Sequence, residues 1–436
     1  TDNVKYYVSG TYKHIEGTAI DNDMNQYSLK SNVTGKVKPW LSFGVNTMLS
    51  YSKNSRVASG YSGANVIKAA VEQYPWHEPF LPNGEWATNK DILLNQNALQ
   101  MIKESDVWIK TYRALSSAFL EFHIIPGLDF KTNVGEDYQN LEEHVYFTSK
   151  HNSGYPTEDN PMGGRLDDAR VTRMSLLWDN TLSYNKSFDM GMGLGVVLGH
   201  SLQFCESSSA SQTGKGFPSA SFDVNSVAAS YKNISTSKSA YALQSFFGRV
   251  NLNYKNRYVG TLTMRTDGSS KFAPEHRWGL FPSASLGWNA DEEQWWKKKD
   301  ISLKLRASVG ATGNQGGIGP YAYQALANGG INYGGQNGLG LSTAGNRDLK
   351  WETAVQENIG IDMSFWKGAL SFTVDLFNKD TQNLLYNKPT MITTGYPSQL
   401  CNIGAMNNRG IENRSRSKRR KEPFPLAFRF QHIHNS

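Results

Sequence analysis

Asp21, Asp23 and Asn25 have the opening spacing of a calcium-binding loop, where alternate oxygen ligands wrap one ion. The sixth position is Gln26, where the turn needs glycine, and the twelfth is Asn32, where the ion needs a bidentate Glu. The segment therefore reads as a polar loop. Gly193, Gly195 and Gly199 miss the dinucleotide-binding spacing and lie inside a continuous alternating segment, not at a turn into a helix. No phosphate-loop lysine, zinc-protease helix or serine elbow occurs, and the nine His are scattered. These residue types point to no catalytic constellation, no metal set and no cofactor. The chemistry that remains is aromatic. Residues 54–107 carry Tyr74, Trp76, His77, Phe80 and Trp86, and residues 312–350 carry Tyr321, Tyr323 and Tyr333 among many glycines, like a mobile lid. Such rings either stack on sugar rings or apolar side chains of a ligand, or simply brace long insertions. Both readings stay open, and Tyr74, Trp76, Trp86, Tyr321 and Tyr333 are the candidate contacts.

The elements that must carry these loops alternate residue by residue. From Ile301 to Gly310, Ile301, Leu303, Leu305, Ala307 and Val309 point one way; Ser302, Lys304, Arg306 and Ser308 point the other. Met174, Leu176, Trp178, Leu182 and Tyr184 oppose Ser175, Asp179, Thr181 and Ser183 in the same manner. Leu262 and Met264 oppose Thr261, Thr263 and Arg265, and Leu370 to Leu376 oppose Ser371, Thr373 and Asp375. Met190 to Leu198 oppose a face lined by Gly191, Gly193, Gly195 and Gly199, where something can approach closely. One such strand also fits a half-buried strand of a soluble sandwich. About fourteen in series, with few helical patterns between them, fit a barrel wall. In lipid, a Lys or Arg turned outward at mid-membrane costs about 2–4 kcal/mol. Lys304, Arg306, Arg265 and Asp375 are therefore expected to face the lumen.

Short turns fall near 36–39, 123–127, 185–189, 255–257 and 366–368, and long loops near 14–25, 54–107, 139–169, 208–237, 266–277, 312–350 and 379–400. Only 290–299 blurs the alternation, as a short-side turn longer than the rest. Outer-membrane barrels have short periplasmic turns and long extracellular loops. Aromatics near strand ends (Tyr12, Trp40, Tyr51, Tyr254, Trp278, Trp288, Trp351, Trp366) fit interfacial girdles, though any single one equally fits an ordinary half-buried strand aromatic. The hydrophobic fraction is 39% with mean hydropathy −0.52, and no run approaches the ~18–20 apolar residues of a membrane helix. A barrel evades that test because only alternate residues meet lipid. The fold expected is all-β: a transmembrane antiparallel β-barrel of the outer-membrane type, incomplete.

The net charge of +7 is local, since residues 413–436 hold seven Lys or Arg and one Glu. Elsewhere no basic face for nucleic acid exists. Cys205 and Cys401, both placed near the long-loop rim, are too few for a disulfide framework and read as free thiols, with a single bridge between them as the alternative. The chain opens on Thr1-Asp2-Asn3-Val4 without initiator Met or apolar leader, so the expectation is a barrel fragment of an exported protein.

Residues 245–412 carry a series of motifs in fixed order: Phe247-Gly248-Arg249-Val250-Asn251, Tyr254-Lys255-Asn256-Arg257-Tyr258, Asp267-Gly268-Ser269-Ser270-Lys271-Phe272 and Arg277-Trp278-Gly279-Leu280-Phe281-Pro282-Ser283. Leu303-Lys304-Leu305-Arg306-Ala307-Ser308, Gly313-Asn314-Gln315, Leu349-Lys350-Trp351-Glu352, Asn402-Ile403-Gly404 and Asn408-Arg409-Gly410-Ile411-Glu412 complete it. Tyr6-Tyr7-Val8-Ser9-Gly10 and Ala118-Phe119-Leu120-Glu121-Phe122 match more loosely. The series resembles the SusC/RagA family of TonB-dependent outer-membrane transporters over nearly all of residues 1–412. The resemblance implies a 22-stranded barrel closed by a plug domain, here lacking the plug and several strands. It also implies import of a glycan or peptide with TonB-derived energy, beneath a SusD-like surface lipoprotein. From Asn413 the basic run Arg414-Ser415-Arg416-Ser417-Lys418-Arg419-Arg420-Lys421 departs from the family, so residues 413–436 are expected to be an aberrant tail, frame-shifted or disordered, that adds no strand. The wall is accordingly expected as an open, curved sheet. A passive porin, a surface adhesin barrel and a soluble secreted β-rich binding protein are the alternatives.

Overall fold

The computed structural model describes residues 3–57, 65–76, 78–87, 97–296, 300–418 and 427–435; side chains at 232, 330, 333, 337, 392, 418 and 427–435 are outside it. The first strands are β1 (Val4–Glu16), β2 (Asp23–Lys38), β3 (Leu41–Ser55), β4 (Ser105–Ile125), β5 (Leu128–Phe147) and β6 (Arg165–Phe188). Then come β7 (Met192–Lys215), β8 (Ser230–Tyr254), β9 (Tyr258–Ser269), β10 (Trp278–Asn289) and β11 (Ile301–Asn314). The chain continues with β12 (Leu326–Tyr333), β13 (Gln336–Thr343), β14 (Glu352–Phe365) and β15 (Leu370–Gln382). It closes with β16 (Leu385–Pro389), β17 (Ser398–Asn402), β18 (Ala405–Lys418) and β19 (Ala427–Asn435). Two short helices, α1 (Val66–Glu72) and α2 (Ala98–Lys103), lie in the loop between β3 and β4.

Fifteen strands form one antiparallel sheet in simple chain order, skipping only the small hairpins β12–β13 and β16–β17. Among the described residues β1 and β19 are its edges, so the sheet is open. The break expected at residue 412 is absent from the backbone. β18 runs on through Arg414 and Arg416, pairing Arg414 with Thr373 and Arg416 with Ser371 of β15. β19 then pairs along β18 from Gly410 to Lys418. The basic stretch still alternates, with Arg414 and Arg416 on the face of Asp375 and Asn413, Ser415 and Ser417 on the other.

Local chemistry sets the hairpins. Between β8 and β9, Lys255 and Asn256 have φ of 53° and 57°, and the Arg257 N–H donates to the Tyr254 carbonyl at 2.9 Å. That is a type I′ turn, whose twist matches the flanking strands. The longer 290–300 connection folds against its neighbour through Glu293. Its carboxylate accepts from Tyr258 Oη at 2.6 Å, Trp288 Nε1 at 3.2 Å and Arg257 Nη1 at 3.3 Å.

The outer face is apolar and exposed: Ile359 is 61% and Leu262 59% accessible. Ile411, Leu376, Ile359, Ala307 and Leu286 form a continuous row across β18, β15, β14, β11 and β10. Two aromatic rows bound this band. Tyr12, Tyr27, Tyr51 and Tyr112 cross β1–β4 with ring centroids 5.1, 6.4 and 4.9 Å apart. Trp178, His200, Phe246 and Trp278 extend the row over β6–β10 at 6.0, 4.9 and 6.2 Å. Toward the short turns, Trp40, Phe122 and Phe130 form the second row at 6.2 and 6.1 Å. Tyr112 and Phe122 are about ten residues apart, or ~33 Å of strand. At a tilt of about 40° that becomes ~25 Å, the height of an outer-membrane apolar band.

Buried side chains gather in the long loops instead of the wall. Val66, Ala69 and Met101 join α1 to α2, and Tyr146, Leu166 and Phe217 seat the 216–229 loop. Phe272, Phe281, Ile318, Leu349 and Trp351 form the third cluster. Trp351 is thus a core residue, with Nε1 donating to the Arg277 carbonyl at 3.0 Å, and not a girdle ring. The same cluster roots both ends of the 312–350 segment, so the expected lid has a fixed base. Cys205 and Cys401 are both free, and Cys205 lies well inside β7 instead of at the rim.

Candidate functional site

The polar face of the sheet and the long-loop rim are where a ligand would meet this chain. Strand register puts Lys304, Arg306, Arg265 and Asp375 on that one face, because each is in phase with the polar residues of its neighbour. Arg306 bridges two carboxylates. Its Nε donates to Asp362 Oδ2 at 2.9 Å, and its Nη2 to Asp362 Oδ1 at 3.3 Å and Asp375 Oδ2 at 2.9 Å. Thr373 Oγ1 also donates to Asp362 Oδ1 at 3.1 Å. Gly360 makes this fit possible, since a Cβ there would sit 2.6 Å from Arg306 Cζ and 2.5 Å from Asp375 Oδ1.

Arg265 is held differently. Its Nε donates to both Asp267 oxygens at 2.9 and 3.0 Å, and its Nη2 to Ser245 Oγ at 2.9 Å. The guanidinium lies 5.4 Å from the Phe247 ring. Phe247 in turn covers Gly199, where a Cβ would fall 2.0 Å from the ring. At Gly199 what approaches the glycine-lined face is therefore the protein's own phenylalanine, while Gly193 and Gly195 face asparagines. Farther along the wall Arg113 makes a two-point pair with Asp137 at 2.9 and 2.8 Å. Much of the charge on this face is internally paired, which gives a polar but electrostatically balanced wall. Asp362, Asp267, Asp137 and Gly360 had escaped sequence reasoning. Their signal was weak, a shared phase with the polar residues of strands whose register only the fold reveals.

The loop aromatics separate into distinct places. Tyr74 and Trp76 stack on each other with centroids 4.8 Å apart and planes 8° apart, and Trp76 is 72% exposed. Trp86 is a brace: it stacks on Phe80 at 4.5 Å and its Nε1 donates to Glu104 Oε1 at 2.8 Å. Buried Asn97 caps α2 and donates to the carbonyls of Pro79 and Ala87 at 2.8 and 3.0 Å, fixing this loop around Trp86. Tyr321 accepts from the Ala240 N–H at 3.2 Å, docking the 312–350 segment on β8. Tyr333 ends β12 opposite Gln336; its side chain, like all of His77, lies outside the described residues. The calcium-like spacing is spent on ordinary contacts, with Asp21 paired to Lys103 at 2.8 Å and Asp23 accepting from Asn25 at 2.8 Å.

The family described as TonB dependent receptor-like, beta-barrel matches residues 50–418. TonB-dependent receptor P3 of Formosa agariphila is 32% identical over 94% of this chain and 42% of its own length. TonB-dependent receptor SusC of Bacteroides thetaiotaomicron is 26% identical over 94% of this chain and 43% of its own length. The chain thus spans less than half the length of these relatives. In fold it is similar to a chain of the RagAB peptide transporter, with a TM-score of 0.84 at 24% identity over 100% of this chain and 49% of that one. The siderophore receptor PiuA of Acinetobacter baumannii shares the fold more distantly, with a TM-score of 0.58 at 10% identity over 100% and 60% of the two chains.

Proposed function

The chain belongs to the TonB-dependent receptor β-barrel family, a family of outer-membrane transporters and receptors, and on that premise we propose that it forms wall and rim of an active importer. The cargo in this proposal is a glycan or a peptide, moved with energy from a TonB complex. A SusD-like lipoprotein covers the long-loop rim and delivers that cargo. The observation that carries the reading is the two-faced sheet: an exposed apolar band ~25 Å high between aromatic rows, backed by a face of paired charges. On this reading Lys304, Arg306, Arg265 and Asp375 face the lumen, and the long loops lie outside the cell. Among the candidate rim contacts, Tyr74 and Trp76 present a stacked pair of exposed rings, a geometry suited to a sugar ring or an apolar side chain. The fold shared with the RagAB peptide transporter supports the peptide class, and the glycan class rests on the resemblance to the SusC/RagA family.

The test is uptake by cells carrying the full-length protein, with labelled oligosaccharides and peptides supplied separately. Loss of TonB should abolish uptake of the cargo class that enters. Uptake that persists without TonB would show a passive pore and overturn the proposal.

A further inference from the structure

Three side chains far apart in sequence converge on the outer surface of the long strands, beyond the tyrosine row. Asp106 on β4 and His144 on β5 share a face, because Asp106 pairs with Tyr146 and Trp108 with His144. Asp223 arrives from the 216–229 loop. One potential ligand atom from each lies within 4.8 Å of the others. The two carboxylates are exposed, while His144 is only 7% accessible.

The histidine is set up as a ligand would be. Its Nδ1 is 2.9 Å from Asp168 Oδ1, and the Trp108 ring stacks on it at 4.9 Å and 11°. A proton on Nδ1 donated to Asp168 leaves the lone pair on Nε2, and Nε2 is buried without a hydrogen-bond partner among the described residues. A carboxylate behind the imidazole fixes its tautomer and raises its basicity, as at many metal-bound histidines. The other Asp168 oxygen accepts from Asn225 Nδ2 at 2.7 Å, which anchors the loop two residues from Asp223. The Asp106 and Asp223 carboxylates make no hydrogen bond or ion pair among the described residues.

We propose that His144, Asp106 and Asp223 bind a divalent transition-metal ion, with Zn²⁺ the best fit, and that the ion fastens the 216–229 loop to the barrel wall. An imidazole nitrogen with two carboxylates suits zinc, whereas calcium and magnesium prefer oxygen alone. Tetrahedral ligands ~2.1 Å from zinc stand about 3.4 Å apart. Closing the present spacing, up to 4.8 Å, to that value falls to the two exposed carboxylates.

The experiment uses the full-length protein in detergent, stripped with a chelator and titrated with ZnCl₂ alone. Expected are one bound Zn²⁺ lost on His144→Gln and at least ~10-fold weaker binding on Asp223→Asn, which changes only an exposed loop residue. Asp168→Asn, one shell out, should weaken binding by about 10–100-fold, and Asp159→Asn on another loop should leave it unchanged. Amide exchange within 216–229 should slow when Zn²⁺ is added. Undiminished Zn²⁺ affinity in Asp223→Asn, or Ca²⁺ displacing Zn²⁺ at equal concentration, would overturn the proposal.

Discussion

Replacing Gly360 by alanine perturbs the polar wall at its tightest point. The added Cβ would stand 2.5 Å from Asp375 Oδ1, 2.6 Å from Arg306 Cζ and 2.8 Å from Nη1. Either the guanidinium or the carboxylate must move. The three partners are roughly a quarter to a third exposed, so each ion pair contributes no more than ~1 kcal/mol. Overpacking adds about 1–3 kcal/mol, and removing a glycine from a strand interior returns a fraction of that. The net expectation is about 2 kcal/mol, or roughly a thirtyfold shift in the folding equilibrium. Reversible folding of the full-length protein into lipid vesicles, followed across a guanidinium chloride series, reads this directly. In an Arg306→Gln background the same alanine should cost less than ~0.5 kcal/mol, because the Asp375 carboxylate, no longer clamped by the guanidinium, can turn away from the new Cβ. An equal cost in both backgrounds would refute the steric account of the Arg306 site.

Leu262→Arg, in the middle of the apolar band, should destabilise the folded protein by about 2–4 kcal/mol, whereas Thr263→Arg beside it should cost little; vesicle folding of both variants checks the pair. His151 is fully buried against Phe147 at 4.3 Å, and burial pushes it down to about 4. Since the opened loop binds the proton first, the stability of residues 148–164 should be complete above about pH 6.5 and be lost as pH falls toward 4. Amide exchange across that loop should show this acid loosening, and His151→Gln should flatten it. Epitope tags at Gly330 should be detected on intact cells carrying the full-length protein and tags at Asn256 or Gly368 should not; equal detection would contradict the sidedness.

The wall was legible in the sequence because its physics is local. The phase of Ile301 to Gly310 follows from period two alone, and the Lys255-Asn256 turn needs only two residues in the left-handed region. The rim was not, because its cores join distant residues. Asn97 caps α2 and reaches Pro79 and Ala87, and Trp351 looks like a girdle ring until Phe272 and Phe281 pack against it. Composition made the stretch beyond Glu412 look unlike a strand, yet serine and asparagine alternating with arginine keep period two and pair with β15. The proposed metal ligands Asp106, His144 and Asp223 leave no mark in sequence spacing, since no short motif links them. Among the aromatic candidates, type alone did not separate the exposed Trp76 from Trp86, which Glu104 holds as a brace.

Single cysteines at Leu303, Lys304, Leu305 and Arg306, labelled in the full-length protein in its membrane, test most directly which face meets lipid. Residues 304 and 306 should react with a water-soluble maleimide, while 303 and 305 should resist it and react with a lipid-soluble one. Labelling of 303 and 305 from water, with 304 and 306 protected, would contradict a membrane-spanning wall with a polar interior.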